Sequence, residues 1–348
     1  MLQFCILPQL KLFHVDNFKI HQITWPGYKK DLCTLFLRNY EKARVEYEKD
    51  RTHAEKSRKR DEMLISVDMQ KVILLPRLEQ YKRCLFTRRL VSINQSFVPI
   101  GKQPGLKPRG VLWHEAICGR KDEDVSSAFR KEMSLPENRD IRWWLMWLDN
   151  CAGQNKCWTL YTMLVFFVNS ANVVQSIKLK YFTAGHTFMS ADSFHKSVEK
   201  EMNEMKNVYD FQDFSNCVSR AGDVTPMDVS DFYDFEKGLS QSKESKESCP
   251  LLSDVVSVEF RRGSTSFFFK RNHDDPEYSE ATFLKSKIVK HIRAGTYSVP
   301  QKPGPRGIQT EKRKHILQKL GDLLPSDRKQ FYKDLPTSDT AYDMLEQV

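Results

Sequence analysis

The order in which the hydrophobic period changes along this chain limits its fold more than any single motif does. From Met63 the sequence turns strand-like: "MLISVDMQKVIL", "RCLFTRRLVSINQSFV" and "GVLWHEAICG" are short runs of β-branched and aromatic character. "KDEDVSSAFRKEM" then has a helical look, "IRWWLMWLD" reads as a fourth strand, and the apolar run through Phe167 reads as a helix. "SIKLKYFTA" is a fifth strand, followed by "GHTFMSADSFHKSVEKEMNEM", whose second half is helical. The order β, β, β, α, β, α, β, α calls for three antiparallel strands, a crossover, and parallel strands joined by helices.

That is the element order of an RNase H-like fold: α/β, a mixed five-stranded sheet with flanking helices. The expected organisation has four parts. Residues 1–60 hold an N-terminal segment and a charged helical arm, and 61–210 the core. Residues 211–250 form an acidic and Ser-rich linker, and 251–348 a hairpin around Arg262-Gly263, a basic linker at Pro300 to Gly307 and short helices. In the arm, Phe36, Tyr40, Ala43 and Tyr47 share one helical stripe, which suits pairing of two copies through residues 32–60. Its "KSRKR" run, Lys56 to Arg60, is read as a solvated face or as a DNA-contacting or nuclear-targeting patch.

At 348 residues and 40% hydrophobic content the chain is long enough to bury a large core. The net charge is +10, and the segment from Lys285 to Lys333 carries thirteen Lys or Arg against three acids, a surplus equal to that of the whole chain. Such a segment suits a polyanion, DNA in particular, with Lys156, Lys312, Arg313 and Lys314 as candidate contacts. The eight cysteines show neither a Cys-x-x-Cys pair nor zinc spacing, so reduced thiols in a nucleus or cytoplasm are expected. "MLQFCILPQLKLF" lacks a basic n-region and a clear cleavage site, so no secretion is expected; the longest apolar run, Trp158 to Val168, is too short to cross a bilayer.

In an RNase H-like sheet the first and fourth strands are neighbours, so acids on them meet even when distant in sequence. Asp68 lies in the first strand and Asp149 ends the fourth. Carboxylates brought together repel unless a cation lies between them, and hard divalent ions choose oxygen ligands; Mg²⁺ or Mn²⁺ is the expected cofactor. A third ligand should come from the helix after the fifth strand, where Asp192, Glu199 and Glu201 compete. Phe194, Val198, Met202 and Met205 form its apolar stripe, which leaves Glu199 facing solvent about 10 Å along the axis from Asp192. His186 in "AGHTF" is a candidate supporting residue, as are Asn150 and Gln154 in the turn after Asp149. Each acid has an ordinary alternative: Asp68 as a solvent-facing strand acid, Asp149 with Asn150 as a cap on a helix near Gln154, and Asp192 as a first-turn acid.

Taken together, "SVDMQKVILLP", "WLDNCAGQNK" and "FTAGHTFMSADSFHKSVE" resemble an uncharacterised family of transposon-derived proteins abundant in arthropods and cnidarians. "SVEFRRGSTSFFFK", "PRGIQTEKR" and "LLPSDRKQFYKDLP" are similar to its C-terminal pattern, in order, so the resemblance covers about Lys56 to Pro336. It implies a DDE-type transposase or integrase-like core with Asp68, Asp149 and Asp192 or Glu199 as the acids. Fuller members carry a Cys-rich segment before the helical arm, of which only Cys33 in "LCTLF" remains here, so a truncated copy is expected. The expected function is metal-dependent phosphodiester transfer on DNA. A catalytically inactive relative that binds nucleic acid or serves as a scaffold is the alternative.

Overall fold

The computed structural model describes residues 27–151, 155–170, 172–183, 189–235 and 249–344, with side chains from Leu37 onward. The elements of the first part are α1 (Gly27–Lys56), β1 (Glu62–Met69), β2 (Ile73–Leu75), β3 (Arg77–Leu78), β4 (Leu90–Pro99), β5 (Arg109–His114), α2 (Asp122–Met133) and β6 (Trp143–Leu148). Next come α3 (Trp158–Asn169), β7 (Ser176–Tyr181), α4 (Ser190–Met205), β8 (Asn207–Val208), α5 (Phe211–Ala221) and β9 (Asp223–Pro226). The last are β10 (Ser257–Arg261), β11 (Phe267–Lys270), β12 (Ser279–Ala281), α6 (Ser286–Arg293), α7 (Thr310–Leu320) and α8 (Ser326–Asp334).

The chain is α/β; among the described residues a large mixed sheet has the order β12-β11-β10-β7-β6-β1-β4-β5-β9 with β2 added on β4, and β3 and β8 form a separate antiparallel pair. In its centre β1 runs antiparallel to β4 and β4 to β5, whereas β1, β6 and β7 are parallel. Among the described residues this sheet has ten strands rather than the five expected. The additions come from regions read as peripheral: β9 pairs parallel with β5, and the β10–β11 hairpin extends the other edge through β7. "SVEFRRGSTSFFFKR" is thus a hairpin with its loop at Gly263, where φ is +82°, but it belongs to the central sheet.

Alternation along the strands sends side chains to two faces. Trp144, Met146 and Leu148 point to a core closed by α2, α3 and α6. Leu145 and Trp147 point to a second core under α1, α4, α5, α7 and α8. Trp144 and Trp147 therefore pack on opposite sides, while Trp143 is 46% exposed at the strand's start. The helix α3 is apolar all round because it is enclosed: Trp158 packs on Phe267 and Phe283 of the C-terminal segment. Among the described residues no helix is long and apolar enough to cross a membrane.

The charged helical arm lies on the sheet. Ala43, Tyr47 and Ala54 are buried, and Tyr47 contacts Trp147 and Phe182 edge-on or tilted at 5.3 and 5.1 Å. Lys180 of β7, itself buried, donates to Glu46 and Asp50 of α1 at 2.7 Å each, and Trp147 Nε1 donates to Asp50. This stretch of the stripe is spent within the chain rather than on a second copy; Phe36 lies outside the described side chains. The Pro300 to Gly307 segment is likewise docked. Lys302 pairs with Glu123 and Asp124, and the Arg306 and Gly307 amides donate to the Ile117 and Ala116 carbonyls. Pro and Gly shape such a backbone locally but do not decide whether it is free. Most of the Ser-rich linker, residues 236–248, lies outside the described residues.

A candidate metal centre at the central strand ends

The register brings the two strand acids together. In the parallel pair β1–β6, Leu64 lies beside Leu145, Ser66 beside Trp147 and Val67 beside Leu148, so the next step along both strands is Asp68 and Asp149. Period-2 alternation puts both acids on the α4 face, in line with Ser66 and Trp147. The expected first strand is interrupted just after Asp68: β1 ends at Met69, and β2 resumes on β4 at Ile73.

Helix α4 supplies the rest. Ser66 Oγ accepts the Ala191 N–H at 3.0 Å, which pins the first turn of α4 onto β1 two residues before Asp68. Asp192 accepts the Met189 N–H at 3.1 Å, the first-turn role, and also stands beside Asp68. One turn on is His195, which sequence reasoning passed over. Ligating atoms of Asp68, Asp192 and His195 all lie within 4.8 Å of one another, close enough to share a cation. The usable signal was the Asp192-x-x-His195 spacing, since residues three apart share a helix face.

The imidazole is oriented from behind. His195 Nε2 lies 3.0 Å from Ser96 Oγ, and Ser96 sits opposite Asp68 on β4. Ser96 Oγ donates its own proton to Asn94 Oδ1 at 3.2 Å, and Asn94 Nδ2 donates to Gln70 Oε1 at 2.9 Å. The serine therefore accepts from His195 Nε2–H, which leaves the Nδ1 lone pair facing Asp68, 3.8 Å from its Oδ2. Burial lowers the histidine to about 4, so the ring is neutral at pH 7 and fit to ligate a metal.

The same burial acts oppositely on the acids. Asp68 is raised to about 7, first by desolvation, then by the charges of Asp149 and Asp192. Asp149 is also raised by burial, offset by bonds from the Asn155 side chain and the Cys151 backbone. The donor set fits a divalent cation. Neighbouring half-buried carboxylates, with no cation among the charges that act on Asp68 from the described residues, leave charge that such an ion would neutralise; the oxygens suit Mg²⁺ or Mn²⁺, and the imidazole adds a nitrogen of the kind that Zn²⁺ or Fe²⁺ favours more. Asp149 stands beside this group and is held by Asn155, outside the three mutually close ligands.

Other expected residues lie elsewhere. Glu199 points away, bonded to Arg77 of β3 at 2.8 Å, so it is not a ligand. Helix α3 begins at Trp158 and is capped by Cys157 Sγ, so Asp149 and Asn150 do not cap it. Asn150 is half-buried at the strand end; Gln154 and His186 lie outside the described residues. Lys156 is 4% exposed over the Tyr181 ring, so it is no backbone contact; burial lowers it to about 8. Lys312 is 1% exposed and paired with Glu115 and Asp343, which corrects its reading as a DNA contact. Arg313 is part-buried and donates to the Lys333 and Leu335 carbonyls, whereas Lys314 is exposed.

Residues 131–257 match a domain of unknown function (DUF7869). The matched stretch runs from the end of α2 into β10 and holds Asp149, Asp192 and His195, with Asp68 outside it. No curated protein and no solved structure matches the chain.

Proposed function

We propose that this chain is a transposase-derived, metal-dependent phosphodiester transferase with an RNase H-like core. The observation that carries the reading is the convergence of acids from three elements at the C-terminal ends of the central strands: Asp68 and Asp149 side by side in register, and Asp192 brought against Asp68 by α4. The central strand order β5-β4-β1-β6-β7, antiparallel on one side of β1 and parallel on the other, is the arrangement this reading requires. Asp68, Asp192 and His195 would hold Mg²⁺ or Mn²⁺, with Asp149 beside them. A bound divalent ion activates an attacking hydroxyl and stabilises the leaving oxygen of a phosphodiester. The protein's part is to hold the ligands, so the reading needs no nucleophilic side chain.

The test is nicking and strand transfer on DNA in Mg²⁺ or Mn²⁺, wild type beside Asp149→Ala and Asp68→Ala. Loss of activity by at least about two orders of magnitude is expected for each. Activity untouched by both changes would remove the assignment. Binding without cleavage by wild type would favour the nucleic-acid-binding scaffold.

A further inference from the structure

The turn between β3 and β4 exposes apolar surface in a basic setting. Leu85 is 75% and Phe86 84% exposed, and Tyr81 is 42% exposed. The turn is nevertheless well held. Cys84 is buried against Leu78 and Leu320, the Cys84 N–H donates to Tyr81 O at 3.0 Å, and Thr87 Oγ1 donates to Arg83 O at 2.8 Å. A single anchored turn thus presents two large apolar side chains outward, although burying them would favour folding.

Charge says what kind of partner fits. Lys82, Arg83 and Arg88 are exposed on the same turn. Arg83 shares Asp322 at 2.8 Å and Arg88 bonds Gln309 at 3.1 Å, surface contacts that exchange with phosphate at little cost. Position adds a second argument. β4 begins just after this turn at the sheet end where Asp68 lies, and Leu90 is six residues from Ser96, the partner of Asp68. That is about 20 Å along the strand, roughly six base steps. We propose that Leu85 and Phe86 form a wedge that enters the base stack of DNA, with Lys82, Arg83 and Arg88 on the flanking phosphates. Apolar side chains among basic ones recognise nucleic acid in this way by unstacking a step. The inference rests on DNA being the partner, as proposed above, but not on cleavage.

Binding and permanganate reactivity of thymines in a T·A-rich duplex are measured in EDTA, which removes any metal-dependent reaction. Wild type should render thymines reactive. Leu85→Ser/Phe86→Ser should abolish this and weaken binding on the order of ten-fold with an unchanged salt slope. Phe86→Trp should retain it, and Lys82→Ala/Arg88→Ala should flatten the salt dependence. Equal melting temperatures check that the variants fold. The proposal is overturned if the serine variant binds and unstacks like wild type, or if wild type binds no duplex. It is also overturned if the variant loses only sedimentation with phosphatidylserine vesicles, or only self-association, because the patch then serves a membrane or a second copy.

Discussion

The Asp68 carboxyl, ordinarily at 3.8, is held at about 7 in the fold by burial and by Asp149 and Asp192. Between these values the folded chain keeps a proton that the unfolded chain has released. The contribution of Asp68 to the stability of the metal-free protein therefore falls as pH rises from about 4 towards 7, unlike that of an ordinary paired carboxylate, whereas His114, His195 and His273, each lowered to about 4, contribute in the opposite sense. Thermal melts in EDTA should show this decline as the difference between wild type and Asp68→Asn, which removes the titrating group and leaves the histidines in place. Added Mn²⁺ should raise the melting temperature near pH 7 and above, with little effect at pH 5, because ligation needs the carboxylate. A flat response to Mn²⁺ at pH 8 would count against the site. Behind His195, Ser96→Ala removes the acceptor that sets the tautomer, and Mn²⁺ affinity by calorimetry should fall about ten-fold or more with the fold intact. Unchanged affinity would mean that Ser96 does not orient the ring.

At the scale of elements, α1 owes its place to a buried charge as much as to its apolar stripe. Lys180 stands on β7 where a sheet covered on both faces would favour an apolar residue, and its ammonium is raised by Asp50 and Glu46 against the pull of burial. Lys180→Met leaves two acids facing each other with Trp147 between the layers. A loss of about 3 kcal/mol in urea denaturation is expected, along with faster proteolysis of α1. An unperturbed midpoint would show that the stripe alone suffices. Helix α4 is the opposite case: Phe194, Val198 and Met202 are buried as their four-residue spacing demanded, and the same rotation put Glu199 beside Arg77 instead of at the acids.

Across the whole molecule, the basic C-terminal segment is divided between structure and surface. Lys302 and Lys312 are ion-paired within the fold, and Lys312 with Glu115 and Asp343 ties α7 to the end of β5. Lys312→Met takes the ammonium from the buried Glu115 carboxylate, which keeps the Val91 N–H at 2.8 Å and Arg306 at 3.7 Å, and should cost about 3 kcal/mol of stability. Lys314→Ala, on the exposed side, should leave stability alone and lower the slope of DNA affinity against salt by about one. If filter binding shows Lys312→Met weakening DNA contact at equal stability, the division is wrong.

Element types, their order and the strand assignments near Asp68 and Asp149 were legible because alternation and 3.6-residue spacing are local properties of the chain. They also singled out Asp68, Asp149 and Asp192. What local pattern could not carry was partnership between distant segments. Whether β10 joins β7, whether Lys312 meets solvent or Glu115, and whether Tyr47 faces a second copy or Trp147 depend on which surfaces the whole fold leaves uncovered. His195 belongs with these: its spacing from Asp192 put the two on one helix face, but only the docking of Ala191 on Ser66 turned that face towards Asp68. Local periodicity decides the face a residue occupies, and long-range packing decides what that face meets.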